Sequence, residues 1–214
     1  MKHSAPVKAL ILGLSCLLCA LYFTACKVNL KSGDNGLYDK KNDVTYCHAS
    51  PTYEAISLGK EYGKLTVTDK ESYTLYLLPG VDPTEMLATE DFNIVYSSEI
   101  DLPTLTEMAP TLLRVCNNSL EIKRIEDVSA IASIVSHYVN GTSIDYPGTT
   151  PIRTYKLRFE SPLYPSFYYT VTYVEYDKDL EIDGKSYGRY FLYNSFDRYF
   201  VPTDDTIHNA LGIS

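Results

Sequence analysis

Cys116, His48 and Arg124 combine three side-chain types that could carry out covalent catalysis. A cysteine thiolate can attack a carbonyl carbon, a histidine can take up the thiol proton, and an arginine can stabilise the charge that develops on the carbonyl oxygen. Cys116 ends the apolar run Leu112–Cys116, and Arg124 follows it eight residues later. This order indicates Cys116 as the candidate nucleophile.

A cysteine, a histidine and an arginine in these roles resemble the sortase family of cell-surface transpeptidases, in which a thiolate attacks an amide carbonyl. The resemblance rests on Cys116, His48 and Arg124 and implies an enzyme that acts on cell-wall peptide. The family has threonines around its cysteine, whereas this chain has Leu112 and Val115 there. A sortase-like enzyme is therefore the alternative to the non-enzymatic function predicted below.

Ser57 and Lys60 have the Ser-x-x-Lys spacing of penicillin-interacting serine enzymes. Those enzymes also need a Lys-Thr/Ser-Gly strand later in the chain, and the match here, Lys31–Gly33, comes before the serine. A two-residue pattern recurs freely by chance, so we assign no catalytic residue from it.

Asp179, Glu181 and Asp183, followed by Gly184, imitate the opening of a calcium-binding loop. Such a loop needs a bidentate acid at its twelfth position, which is Tyr190 in this chain. We therefore predict a solvated hairpin turn at Asp183 and Gly184, and we expect neither a metal ion nor a cofactor.

A candidate binding surface comes from two strands with alternating side chains. Residues Thr154 to Glu160 place Tyr155, Leu157 and Phe159 on one face. The other face carries two cations, and the following strand, Phe167 to Tyr176, adds tyrosines and threonines to it. We predict an open surface that holds an acidic peptide or polymer by charge-assisted hydrogen bonds, formed by Lys156, Arg158, Tyr168 and Tyr176.

The first twenty-six residues have the pattern of an export signal. Lys2 and Lys8 form a basic start, and residues 9–25 carry no charge. The run ends in Phe23-Thr24-Ala25-Cys26, which resembles the lipobox of bacterial lipoproteins with phenylalanine in place of the usual leucine. The resemblance implies cleavage before Cys26 and acylation of its thiol, which would anchor the chain in the lipid bilayer on the extracytoplasmic face of the cell membrane.

Three other interpretations of the same segment remain open. The apolar run could stay uncleaved as a membrane span, since its length lies at the lower limit of such spans. Cys16 or Cys19 could carry the lipid instead of Cys26. Plain secretory cleavage near Ala25 would release the domain.

Composition limits the partners of the mature chain. The sequence has 27 acidic and 19 basic residues and a net charge of −8, which becomes −10 once Lys2 and Lys8 are removed. An acidic domain is repelled by nucleic acid, so we predict no nucleic-acid partner. For a domain on the extracytoplasmic face we expect a cell-wall or protein ligand. The 20 tyrosines favour half-buried β-sheet, where the ring packs inward and the hydroxyl reaches water.

One segment, about Asp127 to Asn140, has a clear helical pattern. Asp127 stands at the N-cap position and Gly141 where a left-handed C-terminal residue belongs. The apolar residues of this segment recur at helical spacing and predict one buried stripe: Val128, Ile131, Ile134, Val135 and Tyr138.

Most other segments have strand patterns, including a hairpin over Gly36 to Ala49, while Pro83 to Glu90 predicts a short helix. The predicted fold class is α+β, an antiparallel β-sheet meander with one long amphipathic helix packed on one face. We predict a signal peptide over residues 1–25, a flexible tether over 26–35 and a single extracytoplasmic domain over 36–214.

Cys47 and Cys116 are the thiols that remain if Cys26 is acylated. Outside the cytoplasm two cysteines can pair, and each can equally be a buried small hydrophobe, so the sequence leaves a disulfide open. His137 and His208 are isolated and are expected to be solvated. Because complete catalytic patterns are lacking, we predict a membrane-anchored, non-enzymatic binding or accessory module.

Overall fold

The computed structural model describes residues 28–33, 36–68, 71–194, 196 and 198–213. The predicted signal peptide and Cys26 lie outside these residues. The described strands are β1 Val28–Gly33, β2 Gly36–Asp39, β3 Val44–His48, β4 Tyr53–Ala55, β5 Glu61–Thr68, β6 Glu71–Leu77, β7 Met86–Thr89, β8 Ile94–Ser97, β9 Leu112–Asn117, β10 Leu120–Ile125, β11 Arg153–Ser161, β12 Tyr164–Glu175, β13 Glu181–Ile182, β14 Lys185–Ser186, β15 Tyr190–Asn194 and β16 Tyr199–Thr203. The described helices are α1 Leu105–Met108, α2 Val128–Asn140 and α3 Asp205–Leu211.

The first half of the described chain is a closed barrel of seven strands in the order β1-β2-β3-β8-β7-β6-β5. Neighbouring strands run antiparallel except β1 and β5, which run parallel and close the ring. A closed ring pairs the backbone of its strands without leaving an open edge. The barrel interior is filled by buried side chains: Leu37, Tyr46, Leu75, Leu87 and Val95.

Strand β1 falls within residues 26–35, which the sequence predicts as a flexible tether. In the structure Val28–Gly33 pairs with β2 on one side and with β5 on the other. These six residues are therefore part of the barrel and not a free linker.

A buried carboxylate lies within the barrel half. Asp39 is fully buried and accepts hydrogen bonds from the Lys41 backbone N–H at 2.8 Å, the Asn42 amide at 2.8 Å and the Tyr62 hydroxyl at 2.5 Å. Three donors compensate for the water that the carboxylate loses on folding. Burial, and then the bond to Asp39, raises the pKa of Tyr62. Asp39 thus joins the β2–β3 turn to β5.

The second half is an antiparallel sheet in the order β10-β9-β11-β12-β15-β16. Strand β4, which lies outside the barrel path, pairs with β12 and so links the two halves. One face of the sheet packs against α2 and α3 around Leu157 and Phe159, with Tyr155 partly buried beside them. The predicted alternation along Thr154 to Glu160 is confirmed.

Helix α2 begins where the sequence predicts. The Asp127 carboxylate accepts from the backbone N–H groups of Ser129, at 2.9 Å, and Ala130, at 3.3 Å, which satisfies the free donors of the first turn. Of the predicted stripe, Val128 is 53% exposed, whereas four residues are buried: Ile131, Ile134, Val135 and Tyr138.

The prediction of a left-handed Gly141 is wrong, because its φ is −68°. Glycine is needed there for another reason. A Cβ atom at this position would lie 2.2 Å from Cγ1 of Val201 and 2.7 Å from the carbonyl oxygen of His137. The end of α2 therefore approaches β16 too closely for any side chain.

The predicted α+β fold class is also wrong, since the described chain is mainly β. The helix that the sequence indicates does form, but it has 13 residues and is one of three short helices. In place of one meander there are a closed barrel and a separate sheet. The long helical period was visible in the sequence, whereas many of the strands are only two to five residues long and carry little periodic signal.

Pro83 to Glu90 does not form the predicted short helix. Met86–Thr89 is strand β7, which lies between β6 and β8 with all four side chains buried. A strand buried on both faces shows no alternation, so its apolar run resembles a helical turn. Pairing with β6 and β8 in the barrel makes this segment a strand and not a helix.

No helix among the described residues is long and apolar enough to cross a membrane.

Candidate functional site

The structure brings together three of the four residues predicted as a ligand-binding face, and it adds Glu54 from β4. The Glu54 carboxylate accepts from Lys156 Nζ, Arg158 Nη2 and the Tyr168 hydroxyl at 3.2 Å each, and from the Thr170 hydroxyl at 3.3 Å. The Arg158 guanidinium also lies 4.7 Å from the centre of the Tyr168 ring. Both predicted cations are therefore already paired.

Solvent exposure shows how much of this face a ligand could reach. The side chains of Glu54 and Arg158 are 15% and 20% exposed, and that of Lys156 is 46% exposed. Burial, and then the Glu54 charge, raises the pKa of Tyr168. The group fixes β4 to β11 and β12, and only Lys156 keeps a substantial part of its surface open to solvent.

Tyr176, the fourth predicted residue, lies elsewhere. Its side chain is 1% exposed and packs with Val174, Leu180, Phe191 and Phe200 in a separate apolar cluster. Burial raises its pKa. Tyr176 contributes to the core and not to an open face, because residues after α2 and around β13 cover this end of the sheet.

Cys116 lies beside this charged group, in β9 opposite Lys156 of β11. The residue is 1% exposed, and burial raises the pKa of its thiol, while the nearby Arg158 acts in the opposite direction. A nucleophilic cysteine needs an accessible thiol with a lowered pKa. Cys116 has neither property.

His48 and Arg124, the residues expected to assist Cys116, do not form a catalytic group with it. His48 ends β3 of the barrel, where it pairs with Val95 of β8, whereas Cys116 belongs to the other sheet. Arg124 forms an ion pair with Glu121 at 3.2 Å. Cys47 and Cys116 are both free, so the disulfide left open by the sequence is not formed.

A polar groove of about 670 Å³ lies between the segment after α2, the β13–β14 hairpin and the β15–β16 hairpin. Its volume is in the range of ligand pockets, about 300–1,000 Å³. Charged side chains of both signs line it: Asp145, Asp183, Lys185 and Arg198. Within the part of the chain that the structure describes, none of these four makes an ion pair or a hydrogen bond through its charged group.

Arg198 of the groove differs in this respect from four arginines of the sheet. Arg114, Arg124, Arg153 and Arg158 all form ion pairs. The four charged side chains of the groove are exposed and form no ion pair among the described residues, so their charges are available to a ligand. We therefore regard the groove as the candidate functional site.

The walls of the groove are fixed by hydrogen bonds between distant segments. His137 Nε2 lies 2.9 Å from the Pro202 carbonyl oxygen, and the Tyr199 hydroxyl donates to the Gly141 carbonyl at 2.7 Å. The Phe200 backbone N–H donates to the Ser143 hydroxyl at 3.2 Å. These bonds hold the segment after α2 along the outer edge of β16.

The opposite wall is the β13–β14 hairpin, whose turn is the predicted Asp183–Gly184. Both residues have positive φ, 51° and 76°, as a two-residue hairpin turn requires. The ammonium group of Lys185 lies 4.8 Å from the centre of the Tyr187 ring. Among the described residues, no group of three or more His, Cys, Asp or Glu side chains is placed to hold a metal ion.

Arg198 has a backbone φ of 54°, in the left-handed region that residues with a side chain rarely adopt. It is the fourth position after Asn194 in the turn between β15 and β16, and its side chain is exposed. Such a conformation costs about 1–2 kcal/mol, which the surrounding hairpin must offset. Arg198 lines the groove from this turn.

The sequence did not predict this groove. It also predicted that His137 and His208 are solvated. His137 instead bonds to Pro202, and His208 stacks on Tyr190 at 4.4 Å and lies 2.8 Å from the Tyr173 hydroxyl. The predicted turn at Asp183–Gly184 is the sequence feature that pointed to this groove, because Asp183 lines it. It fixes one wall but does not say which segments lie opposite.

Comparisons with known proteins add no assignment: no protein-family description, curated protein or solved structure matches this chain.

Proposed function

We propose that this chain is a lipid-anchored extracytoplasmic binding module that holds a cell-wall or protein ligand in the groove between α2 and the β13–β14 hairpin. The observation that carries the proposal is the groove itself, lined by two acidic and two basic side chains without ion-pair partners in the described chain. The sequence of residues 1–26 supports the anchor. The buried thiol of Cys116 gives no support to a cysteine enzyme.

The anchor is tested by metabolic labelling with a fatty-acid probe. Wild-type protein should be labelled and Cys26→Ser should not, because the thiol of Cys26 carries the lipid. A matched Cys47→Ser variant should remain fully labelled. Equal labelling of wild type and Cys26→Ser would contradict the anchor, and an unlabelled protein released into the medium would indicate plain secretion.

The binding role is tested by retention on purified cell-wall material. Replacing Lys185 and Arg198 together by Gln should reduce retention about tenfold, since each exposed charge contributes up to about 1 kcal/mol. The control is Lys60→Gln with Lys178→Gln, which removes the same charge from exposed positions outside the groove. Both variants should keep the wild-type melting temperature. Equal losses in the two variants, or no retention of the wild type, would refute the groove as the binding site.

A further inference from the structure

We propose that the end of the barrel at which β1 begins rests directly on the lipid headgroups of the membrane, with three exposed lysines beside β1 facing the phosphates. The proposal rests on the lipid anchor of the proposed function and names the surface that this anchor brings to the bilayer. The lysines lie in the turn between β2 and β3 and in the segment that enters β5: Lys40, Lys41 and Lys60.

The connection between the anchor and the barrel is short. Cys26 stands two positions before Val28, where β1 begins, and Val28 is held beside Gly63 of β5. Two residues span at most about 7 Å, while the headgroup region on one side of a bilayer is about 5–8 Å deep. A lipid on Cys26 therefore brings this end of the barrel to the headgroups. A flexible tether over residues 26–35 would instead have let the domain move away from the membrane.

Strand directions identify the residues at this end of the barrel. Strands β1 and β5 are parallel and both begin here, and β2, antiparallel to β1, ends here. The turn from β2 to β3 thus adjoins β1 on one side, and the segment entering β5 adjoins it on the other. Lys31 lies opposite Tyr38 in the register of β1 and β2, and the same register continued to Val28 reaches Lys41. The turn with Lys40 and Lys41 is therefore level with the start of β1.

Charge is distributed unevenly around this end. The side next to β1 carries the three lysines, none of which forms an ion pair among the described residues. The two acids beside them are engaged, since Asp43 accepts from the Tyr38 hydroxyl at 2.7 Å and Glu61 has a partner within the protein. Across the ring, where β7 begins and β8 ends, the exposed charged residues are acids: Asp82, Glu85 and Glu99.

This asymmetry matches the position of the anchor. The net charge of the chain is −8, and −10 without Lys2 and Lys8, so much of its surface is repelled by anionic lipids. A lysine within about 8 Å of such a membrane is attracted, and each one increases binding about fivefold. The anchor precedes the one strand of this end that has basic segments on both sides. The basic side is therefore the side held against the headgroups.

The test measures the acetylation rates of individual lysines by mass spectrometry, on the full-length acylated protein in phosphatidylcholine nanodiscs. The comparison variant has a flexible linker of about ten Gly and Ser residues inserted between Lys27 and Val28, which keeps anchor and barrel but lengthens their connection. Lys40, Lys41 and Lys60 should react several times more slowly in the wild type, because headgroups cover them. Lys178, exposed in the other half of the chain, is the internal control and should react equally in both proteins.

The contribution of charge is tested with the linker variant in nanodiscs that contain phosphatidylglycerol. Attraction to the anionic headgroups should slow the acetylation of Lys60 again. Replacing Lys40 and Lys41 together by Gln should reverse most of this protection, since each lysine contributes about fivefold to binding. Lys123→Gln with Lys178→Gln removes the same charge from the sheet half and should leave Lys60 protected. Equal acetylation of Lys60 in the two double variants would refute the part assigned to the lysines.

Equal acetylation of the three lysines in wild type and linker variant would overturn the contact with the bilayer, while labelling at Cys26 would still support the anchor. A protein without lipid at Cys26 would refute the anchor and this proposal together. Should the linker variant not fold, lipids with a paramagnetic headgroup supply the test on the wild type. They should broaden the NMR signals of the β2–β3 turn more than those of the β7–β8 turn at the opposite end, and equal broadening would contradict the proposal.

Discussion

Replacing Glu54 by glutamine is expected to lower the free energy of unfolding by about 2–3 kcal/mol. The carboxylate is 15% exposed and accepts four hydrogen bonds, two of them from Lys156 and Arg158. Glutamine keeps the shape but removes the charge, so the poorly exposed Arg158 guanidinium loses its counter-ion. Removing one partner of a fully buried pair costs about 3–5 kcal/mol, and the partial exposure of this group reduces that cost.

Urea denaturation measures the effect, with the shift in midpoint at unchanged slope giving the loss of stability. Glu90→Gln is the matched control, because Glu90 is exposed in a turn and should change stability by no more than about 0.5 kcal/mol. If Glu54→Gln is as stable as that control, Glu54 does not hold β4 against the sheet. The same result would leave Lys156 and Arg158 available to a ligand, as the sequence suggested.

Ile131→Asp is expected to have the largest effect, a loss of more than about 4 kcal/mol that leaves little folded protein. Ile131 is fully buried in the core between α2 and the sheet, with Leu157 and Phe159 in the same cluster. An aspartate there would place an unpaired charge among apolar side chains. Circular dichroism and a thermal melt would report the loss.

Ser133→Asp is the control on the same helix, since Ser133 is exposed. It should retain a cooperative melt close to that of the wild type. A folded Ile131→Asp protein with a similar melt would show that α2 does not pack as described.

The parts of the fold that could be predicted from the sequence depend on local patterns. Alternation along Thr154 to Glu160 assigned Leu157 and Phe159 to the core, and the N-cap at Asp127 located the start of α2. The Asp183–Gly184 dipeptide identified its turn. Each of these features is determined within a few neighbouring residues.

The barrel could not be predicted in this way. Its closure depends on the parallel pairing of β1 with β5, which joins Val28 to Gly63 across the sequence. Strand β7 is buried on both faces and so lacks the alternation that identifies a strand. Short segments of this kind take their structure from the neighbours they pair with and not from their own composition.

The candidate site shows the same limit. The alternation placed Lys156 and Arg158 on one face, but their partner Glu54 is more than 100 residues earlier. The groove is likewise assembled from segments around residues 141–145, 182–187 and 198. A single sequence contains no pattern that links such segments. The ion pairs of Glu54 and the open groove around residues 141–145 can therefore be recognised only in the three-dimensional structure.

The position of β4 also has a consequence for the order in which the chain folds. In a chain that is synthesised from its N-terminus, the seven barrel strands are all available once residue 97 has emerged. Strand β4 must wait for Phe167–Tyr169 of β12, and Glu54 must wait for Lys156 and Arg158. Until then the N-terminal half displays a strand that lacks its β12 partner and a carboxylate without its counter-ions, which makes this interval the stage at which chaperones and proteases have access to the chain.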